Sequence, residues 1–161
     1  MSIRNALILT ASCMAFSLSG FAQETGIKTP HPSYDAELAK KFGADDRGMK
    51  MYVFCVLKTG PNDTKVTGKE RSDLFAGHFA NIGRLANEGK LALAGPFEDN
   101  DRGYRGLFIF NVATIDEAKK LVETDPTVRS GVFIAELTQW YGTAALVAIP
   151  ELHKRIQKKT P

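Results

Sequence analysis

The chain has 161 residues, of which 43% are hydrophobic, and this length and composition predict one compact domain with its own core. Its formal net charge of +3 is too close to neutral to indicate a nucleic-acid-binding protein. The three histidines have no cysteine or carboxylate companions at metal-site spacing, and we find neither a glycine-rich nucleotide loop nor a nucleophilic-serine elbow. We therefore expect neither a metal nor a cofactor.

The first 22 residues are typical of a secretory signal peptide. Arg4 precedes an apolar stretch over residues 6–18, and small residues stand at positions −3 and −1 of a cleavage site after Ala22. Several serines and threonines interrupt this stretch, which is also short for a membrane anchor. We expect an exported protein, periplasmic or secreted, with no membrane span after cleavage.

Residues 23–48 are predicted to form a linker that contains one short helix, Ser33–Phe42, with Ser33 as its N-cap. The domain proper is expected over residues 49–142, and its first strand is Lys50–Lys58. Cys55 lies in this apolar strand, and the other cysteine belongs to the signal peptide. Cys55 is therefore expected to be a small core residue without a disulfide.

The next element is predicted to be an amphipathic helix over Lys69–Lys90, opened by a capping box of Thr67 and Glu70. His78 falls inside the apolar arc of this helix, which spans roughly 140° at about 100° per residue. An imidazole that faces a core without hydrogen-bond partners costs roughly 1–3 kcal/mol. Either the fold supplies a partner for structural reasons, or His78 lines a cavity where a ligand binds. The apolar residues of the arc are Leu74, Phe75, Phe79, Ile82, Leu85 and Ala86.

Strands and helices continue to alternate after this helix. Thr114 and Glu117 form a second capping box, and the Asp125-Pro126 pair breaks the helix that they open, because a residue before proline avoids the helical region. A basic tail follows the last strand, at residues 143–161. The predicted elements are the strands Leu91–Ala94 and Gly106–Val112 joined by a loop over Glu98–Arg105, the helix Ile115–Thr124, the lead-in Val128–Gly131, the strand Val132–Tyr141 and a terminal helix from Pro150 or Glu151 to Lys158.

This order predicts an α+β fold, a ferredoxin-like βαββαβ domain with a four-stranded antiparallel sheet, both long helices on one face and a short helix at each end. Alternation along the strands sends half of the apolar side chains to the uncovered face; Phe54, Phe108 and Phe110 cannot all point one way with their neighbours. The simplest cover is a homodimer that packs sheet against sheet.

Several short segments, in order, resemble the YciI-like, or YCII-related, proteins. The resemblance covers about Lys50–Gly142, the whole predicted domain. It implies a ferredoxin-like fold that dimerises through its sheets into an α+β barrel. The segments are 51–62, Gly-His-Phe-Ala-Asn-Ile at 77–82, 89–97, 106–110, Glu-Ala at 117–118, Asp-Pro-Thr-Val at 125–128 and Trp-Tyr-Gly at 140–142.

The resemblance also implies a site in which His78 and Asp125 are catalytic and the Gly95-Pro96 turn borders the same cavity. The chemistry associated with such proteins is elimination of halide from small chlorinated ring compounds, and related dimeric barrels isomerise lactones or oxidise aromatics. An aspartate that accepts from one ring nitrogen leaves the other nitrogen free as a base, as such proton transfers require. The export signal, the helix before the domain and the basic tail depart from the plain cytosolic pattern.

Three further residues complete the expected substrate site. Arg129 is the cation nearest in sequence to Asp125 and would hold an acidic substrate, while Phe97 and Trp140 would form flat apolar walls. Each also has a simpler interpretation, since a lone arginine after a helix is commonly exposed and buried aromatics mostly pack. His78 and Asp125 could equally form a structural pair, or Asp125 could cap the turn before Pro126. Three functions stay open: a lyase or isomerase, a non-catalytic binder of a small metabolite, and a structural dimer.

Overall fold

A computed structural model describes residues 31–159 of the chain. The expected signal peptide and residues 23–30 of the linker therefore lie outside the described residues. All elements given below belong to one compact unit that begins at Asp35. No helix within residues 31–159 combines the length and the apolar character needed to cross a membrane.

Ten elements follow one another along this unit. The labels used from here on are α1 (Ala36–Phe42), β1 (Met49–Thr59), α2 (Gly68–Asn87), β2 (Leu91–Pro96), β3 (Tyr104–Phe110), α3 (Ile115–Val122), α4 (Pro126–Arg129), β4 (Phe133–Thr143), a 3₁₀ segment (Ala144–Ala148) and α5 (Ile149–Ile156).

The four strands form one sheet in the order β2-β3-β1-β4, and every neighbouring pair is antiparallel. The helix α2 connects β1 to β2, and α3 and α4 connect β3 to β4, so each connection passes over an intervening strand. This arrangement is the ferredoxin-like βαββαβ fold, and the sequence prediction of an α+β fold is confirmed.

The main core lies between the helices and one face of the sheet. Strand residues such as Val53 and Phe110 are fully buried there against Leu85 of α2 and Ala118 of α3. Cys55 belongs to this core, as expected.

A smaller cluster covers part of the opposite face of the sheet. Tyr52 and Ile109 are buried there, and Leu146 and Val147 of the 3₁₀ segment pack against them. The start of the expected basic tail thus lies on the sheet. The chain itself covers a share of the face for which the sequence suggested only a second copy.

Three local expectations are wrong. The N-cap of α1 is Asp35 and not Ser33, because the Asp35 carboxylate accepts from the amide of Leu38, three residues on. Thr67 precedes α2 but its hydroxyl caps no amide; Gly68 enters the helix at a φ of +57°, in the left-handed region, and this entry turns the hydroxyl away.

The third error concerns the end of the predicted helix Ile115–Thr124: α3 ends at Val122, and residues 126–129 form the separate single turn α4. Pro126 stands at the first helical position, where it needs no amide donor, so proline ends α3 and begins α4.

Candidate active site

His78 lies on α2 at the centre of a group of phenylalanine rings, with 7% of its surface exposed. Its ring stacks on Phe108 of β3, with 5.9 Å between the ring centroids. Phe75 and Phe79 of α2, together with Phe133 of β4, meet the imidazole edge-on at 5.4–6.1 Å. Apolar rings therefore surround most of the imidazole.

Asp125 supplies the polar partner of this histidine. Nδ1–H of His78 donates to Oδ2 of Asp125 over 2.6 Å, and Asp125 is fully buried. The other carboxylate oxygen, Oδ1, accepts from the amide and the hydroxyl of Thr127, at 2.9 and 2.7 Å. Asp125 thus pairs with His78 through one oxygen and caps α4 through the other, so both interpretations of this aspartate hold together.

A glycine allows the two helices to approach closely enough for this bond. A Cβ built on Gly77 would lie only 2.9 Å from Cγ of Pro126, well inside ordinary contact distance. The residues after Gly77 and before Pro126 are the two members of the pair. The bare helix surface at position 77 therefore lets α4 dock where Asp125 can meet His78.

Burial alone would raise the pKa of the Asp125 carboxyl, but hydrogen bonds from His78 and Thr127 outweigh it and hold this pKa below its ordinary value. Asp125 is accordingly a carboxylate acceptor, which places a histidine proton on Nδ1; in the neutral imidazole the lone pair is then on Nε2. No hydrogen-bond partner for Nε2 occurs among residues 31–159.

Cys55 of β1 lies in the main core, on the face of the sheet that the helices cover. Burial, together with the charge of Asp125, raises the pKa of this thiol to about 12. A thiol held protonated in this way is a poor nucleophile.

Asn81 is a buried polar residue of α2 that the sequence prediction missed. It is 7% exposed, its Oδ1 accepts from Arg84 and Thr124, and its Nδ2 is buried with no partner within residues 31–159. Because the Arg84 guanidinium can only donate, exchanging the two amide atoms would place the Asn81 NH₂ group against another donor. The signal was its spacing: a residue three positions after His78 shares its side of the helix.

The side chains of the remaining expected residues form no hydrogen bond or ring contact with the pair. Arg129 ends α4, where its amide donates to the carbonyl of Asp125 and its side chain is exposed. Phe97 is 40% exposed against Tyr104. Trp140 pairs with Tyr52 on the opposite face of the sheet, where the two rings lie 5.9 Å apart.

The Gly95-Pro96 turn stands at the end of β2. Gly95 is in register with Leu107, whose side chain belongs to the cluster on the opposite face. Within one chain, neither this turn nor Trp140 contacts the pair.

Two phenylalanine neighbours of His78 line openings at the surface, and His78 itself lines neither. Phe75 lines a cavity of about 410 Å³, wide open to solvent, with Gly68, Arg71, Ser72 and Arg105. Phe79 lines a groove of about 840 Å³ between α2 and α5. Each opening therefore shares with the imidazole one ring that contacts it. Across residues 31–159, no three potential metal ligands are grouped together.

Comparison with known proteins gives three findings. The chain is similar to the uncharacterized protein YjpA of Bacillus subtilis (strain 168), with 29% identity over 90 residues, which cover 56% of this chain and 95% of that protein. A structure of 5-chloro-2-hydroxyhydroquinone dehydrochlorinase from Burkholderia phenoliruptrix AC1100, in complex with 2,5-dihydroxybenzoquinone, is 24% identical. That match covers 55% of this chain and 92% of the other, with a TM-score of 0.40. The model of the YCII-related domain matches residues 51–141, more than half of the chain, and the protein therefore belongs to the YCII-related domain family.

Proposed function

We propose that this protein is an exported enzyme of lyase or isomerase type that moves a proton on a small acidic or cyclic metabolite, with His78 as the base. One observation carries the proposal: a buried imidazole is bound through Nδ1 to a fixed carboxylate, while its Nε2 has no partner among the described residues. An orienting aspartate and a free ring nitrogen are the two requirements of a histidine base.

The proposed reaction begins when Nε2 removes a proton from a ring hydroxyl or from an acidic carbon of the substrate. The electron pair of the broken O–H or C–H bond then forms a C=O or C=C bond. In an elimination, the carbon–halogen bond breaks and its electron pair leaves with the halide; in an isomerisation, His78 returns the proton to another atom. Asp125 stabilises the imidazolium during either reaction, and Thr127 keeps the carboxylate in place.

A purely structural role of the hydrogen bond between His78 and Asp125 is the alternative to catalysis. A hydrogen bond between α2 and α4 stabilises the fold whether or not chemistry occurs, and removing either partner would leave the other buried without compensation. Loss of stability therefore does not separate the two roles, and the deciding measurement is turnover. A non-catalytic binder would retain a ligand at His78 without converting it.

The first test measures chloride released from 5-chloro-2-hydroxyhydroquinone under multiple-turnover conditions. A second measurement follows exchange of C–H protons with deuterated water, by NMR, in a panel of hydroxylated rings and cyclic keto acids. We expect His78→Gln and Asp125→Asn to abolish turnover, and a matched change of the exposed His153 on α5, His153→Gln, to preserve it. If compounds of the panel bind but none is converted, the protein is a binding protein and the enzyme proposal is wrong.

The proposal includes a homodimer that packs through the open face of the sheet. Ile134 and Trp140 remain 48% and 38% exposed on this face, which also carries the partly buried Phe54. Sedimentation of the wild type should give a dimer, and Ile134→Glu should give a monomer. Export is tested by N-terminal sequencing of the protein released by an expressing cell, which should begin at Gln23.

A further inference from the structure

We propose that the cavity between Arg71 and Arg105 binds the carboxylate of a small ring acid. The inference rests on the proposed function in one respect, since it identifies this carboxylate as part of the metabolite on which His78 acts. The cavity of about 410 Å³ is lined by Gly68, Arg71, Ser72, Phe75 and Arg105.

The charge of the lining favours an anion. It contains two guanidinium groups and no carboxylate. Asp63 balances Arg71 through a 2.8 Å ion pair, and the carbonyl of Asp63 accepts a second bond from the same guanidinium, which holds Arg71 in place. Arg105 is exposed and forms no ion pair within residues 31–159, so its charge is available to a ligand. Guanidinium groups bind carboxylates in a bidentate geometry.

The apolar wall of the cavity connects it to the catalytic pair. The guanidinium carbon of Arg71 lies 5.0 Å from the centroid of the Phe75 ring, and the same ring meets His78 edge-on at 6.1 Å. Arg71 and His78 lie seven positions apart on α2, two helical turns, and so share one side of the helix. A carboxylate held by the arginines would place its ring along Phe75, in the direction of the imidazole.

The start of α2 adds to the same potential. This helix has 20 residues, and the Thr67 hydroxyl caps none of its first amides. The positive end of the helix dipole is therefore directed at the cavity beside Gly68. Arg129, the cation expected from the sequence, is the last residue of α4 and is not among the residues that line this cavity.

The test is a titration of the purified protein with benzoate, followed by calorimetry, with neutral benzamide of the same shape as the reference ligand. We expect benzoate to bind and benzamide to bind much less. Arg105→Gln should weaken benzoate roughly 10- to 100-fold, while Arg105→Lys should retain part of the affinity. Arg155→Gln, at an exposed arginine of α5, is the matched control and should bind benzoate as the wild type does.

Each contrary result overturns the inference. These results are no benzoate binding, equal binding of benzamide, and benzoate affinity that does not depend on Arg105. Because Arg105 is exposed and forms no ion pair within the described residues, its variants are expected to fold, and circular dichroism checks this.

The titration is also independent of catalysis. If benzoate requires Arg105 but no compound is turned over, the anion site stands and the proposed enzyme fails. If turnover requires His78 but benzoate affinity does not depend on Arg105, the proposed enzyme stands and the anion site fails. His78→Gln should lose turnover and still bind benzoate.

Discussion

Pro126 packs against the bare backbone of Gly77, at the point where α4 crosses α2. The neighbouring residues, His78 and Asp125, are the two that share the 2.6 Å hydrogen bond. The close contact between Gly77 and Pro126 therefore determines how near His78 and Asp125 lie to each other.

Gly77→Ala should destabilise the protein by about 1–3 kcal/mol, because the new Cβ overlaps the Pro126 ring. Alanine by itself favours a helix over glycine by about 1 kcal/mol. The matched control is Gly83→Ala on the same helix, where a Cβ meets nothing within 4 Å and only the helix preference acts. Urea unfolding should thus show a lower free energy of unfolding for Gly77→Ala and a higher one for Gly83→Ala. Equal stabilisation of both variants would show that α4 can shift to make room for the new Cβ.

The Asp125 carboxylate should make stability depend on pH in the acid range. Burial opposes ionisation, but the bonds from His78 and Thr127 outweigh it, so the folded-state pKa lies below the ordinary value of 3.8. Ionised Asp125 therefore adds stability that is fully present above about pH 4 and is lost as the pH falls through the folded-state pKa. Urea unfolding from pH 5 to pH 2 should show the advantage of the wild type over Asp125→Asn shrinking.

Thr127→Val removes one donor to Asp125 and should move this acid loss to higher pH. Parallel stability curves for the wild type and Asp125→Asn would contradict the assignment of the carboxylate.

Asn81→Leu should leave the free energy of unfolding within about 0.5 kcal/mol of the wild type or raise it, because the change removes a buried donor that has no partner among the described residues. The donors to Oδ1 keep other partners, since Arg84 also binds Glu88 and the Thr124 hydroxyl also binds the Leu121 carbonyl. Thr127→Val, which removes a satisfied buried hydroxyl, should be destabilising in the same assay. A loss above about 2 kcal/mol in Asn81→Leu would mean that the amide has a structural partner.

Cys55 should resist thiol reagents at pH 8 in the folded protein. Its burial and the charge of Asp125 raise the pKa to about 12, so almost no thiolate exists at that pH. Labelling with a chromogenic disulfide should proceed only after denaturant is added, and at the rate of unfolding. Rapid labelling of the native protein would show that the sheet opens at β1.

The sequence was sufficient for the order of strands and helices because hydrophobic periodicity is local. The apolar alternation of β1 and the spacing on α2 can be read from neighbours alone. The family resemblance added the meeting of His78 with Asp125, which are 47 positions apart and have no local signal that joins them.

Two features depended on contacts between distant elements. Asn81 is buried because Thr124 and Arg84 close over it, while Phe79, on the other edge of the expected arc, is 49% exposed. The buried side of α2 is therefore rotated toward Asn81, and this rotation follows from where the segment between α3 and α4 docks. The packing of Leu146 against the cluster around Tyr52 likewise depends on a contact between segments that are far apart in the sequence.

The 3₁₀ segment also gives the sheet a left–right asymmetry. Leu146 and Val147 occupy the side of the open face near Tyr52 and Ala92, whereas Ile134 on β4 is still exposed. This face is therefore uneven: the C-terminal segment projects from one half of it, and a molecule that binds there must fit around that projection. The footprint of such a molecule is displaced toward β4, and two identical copies would have to approach off-centre, each fitting its projecting half beside that of the other.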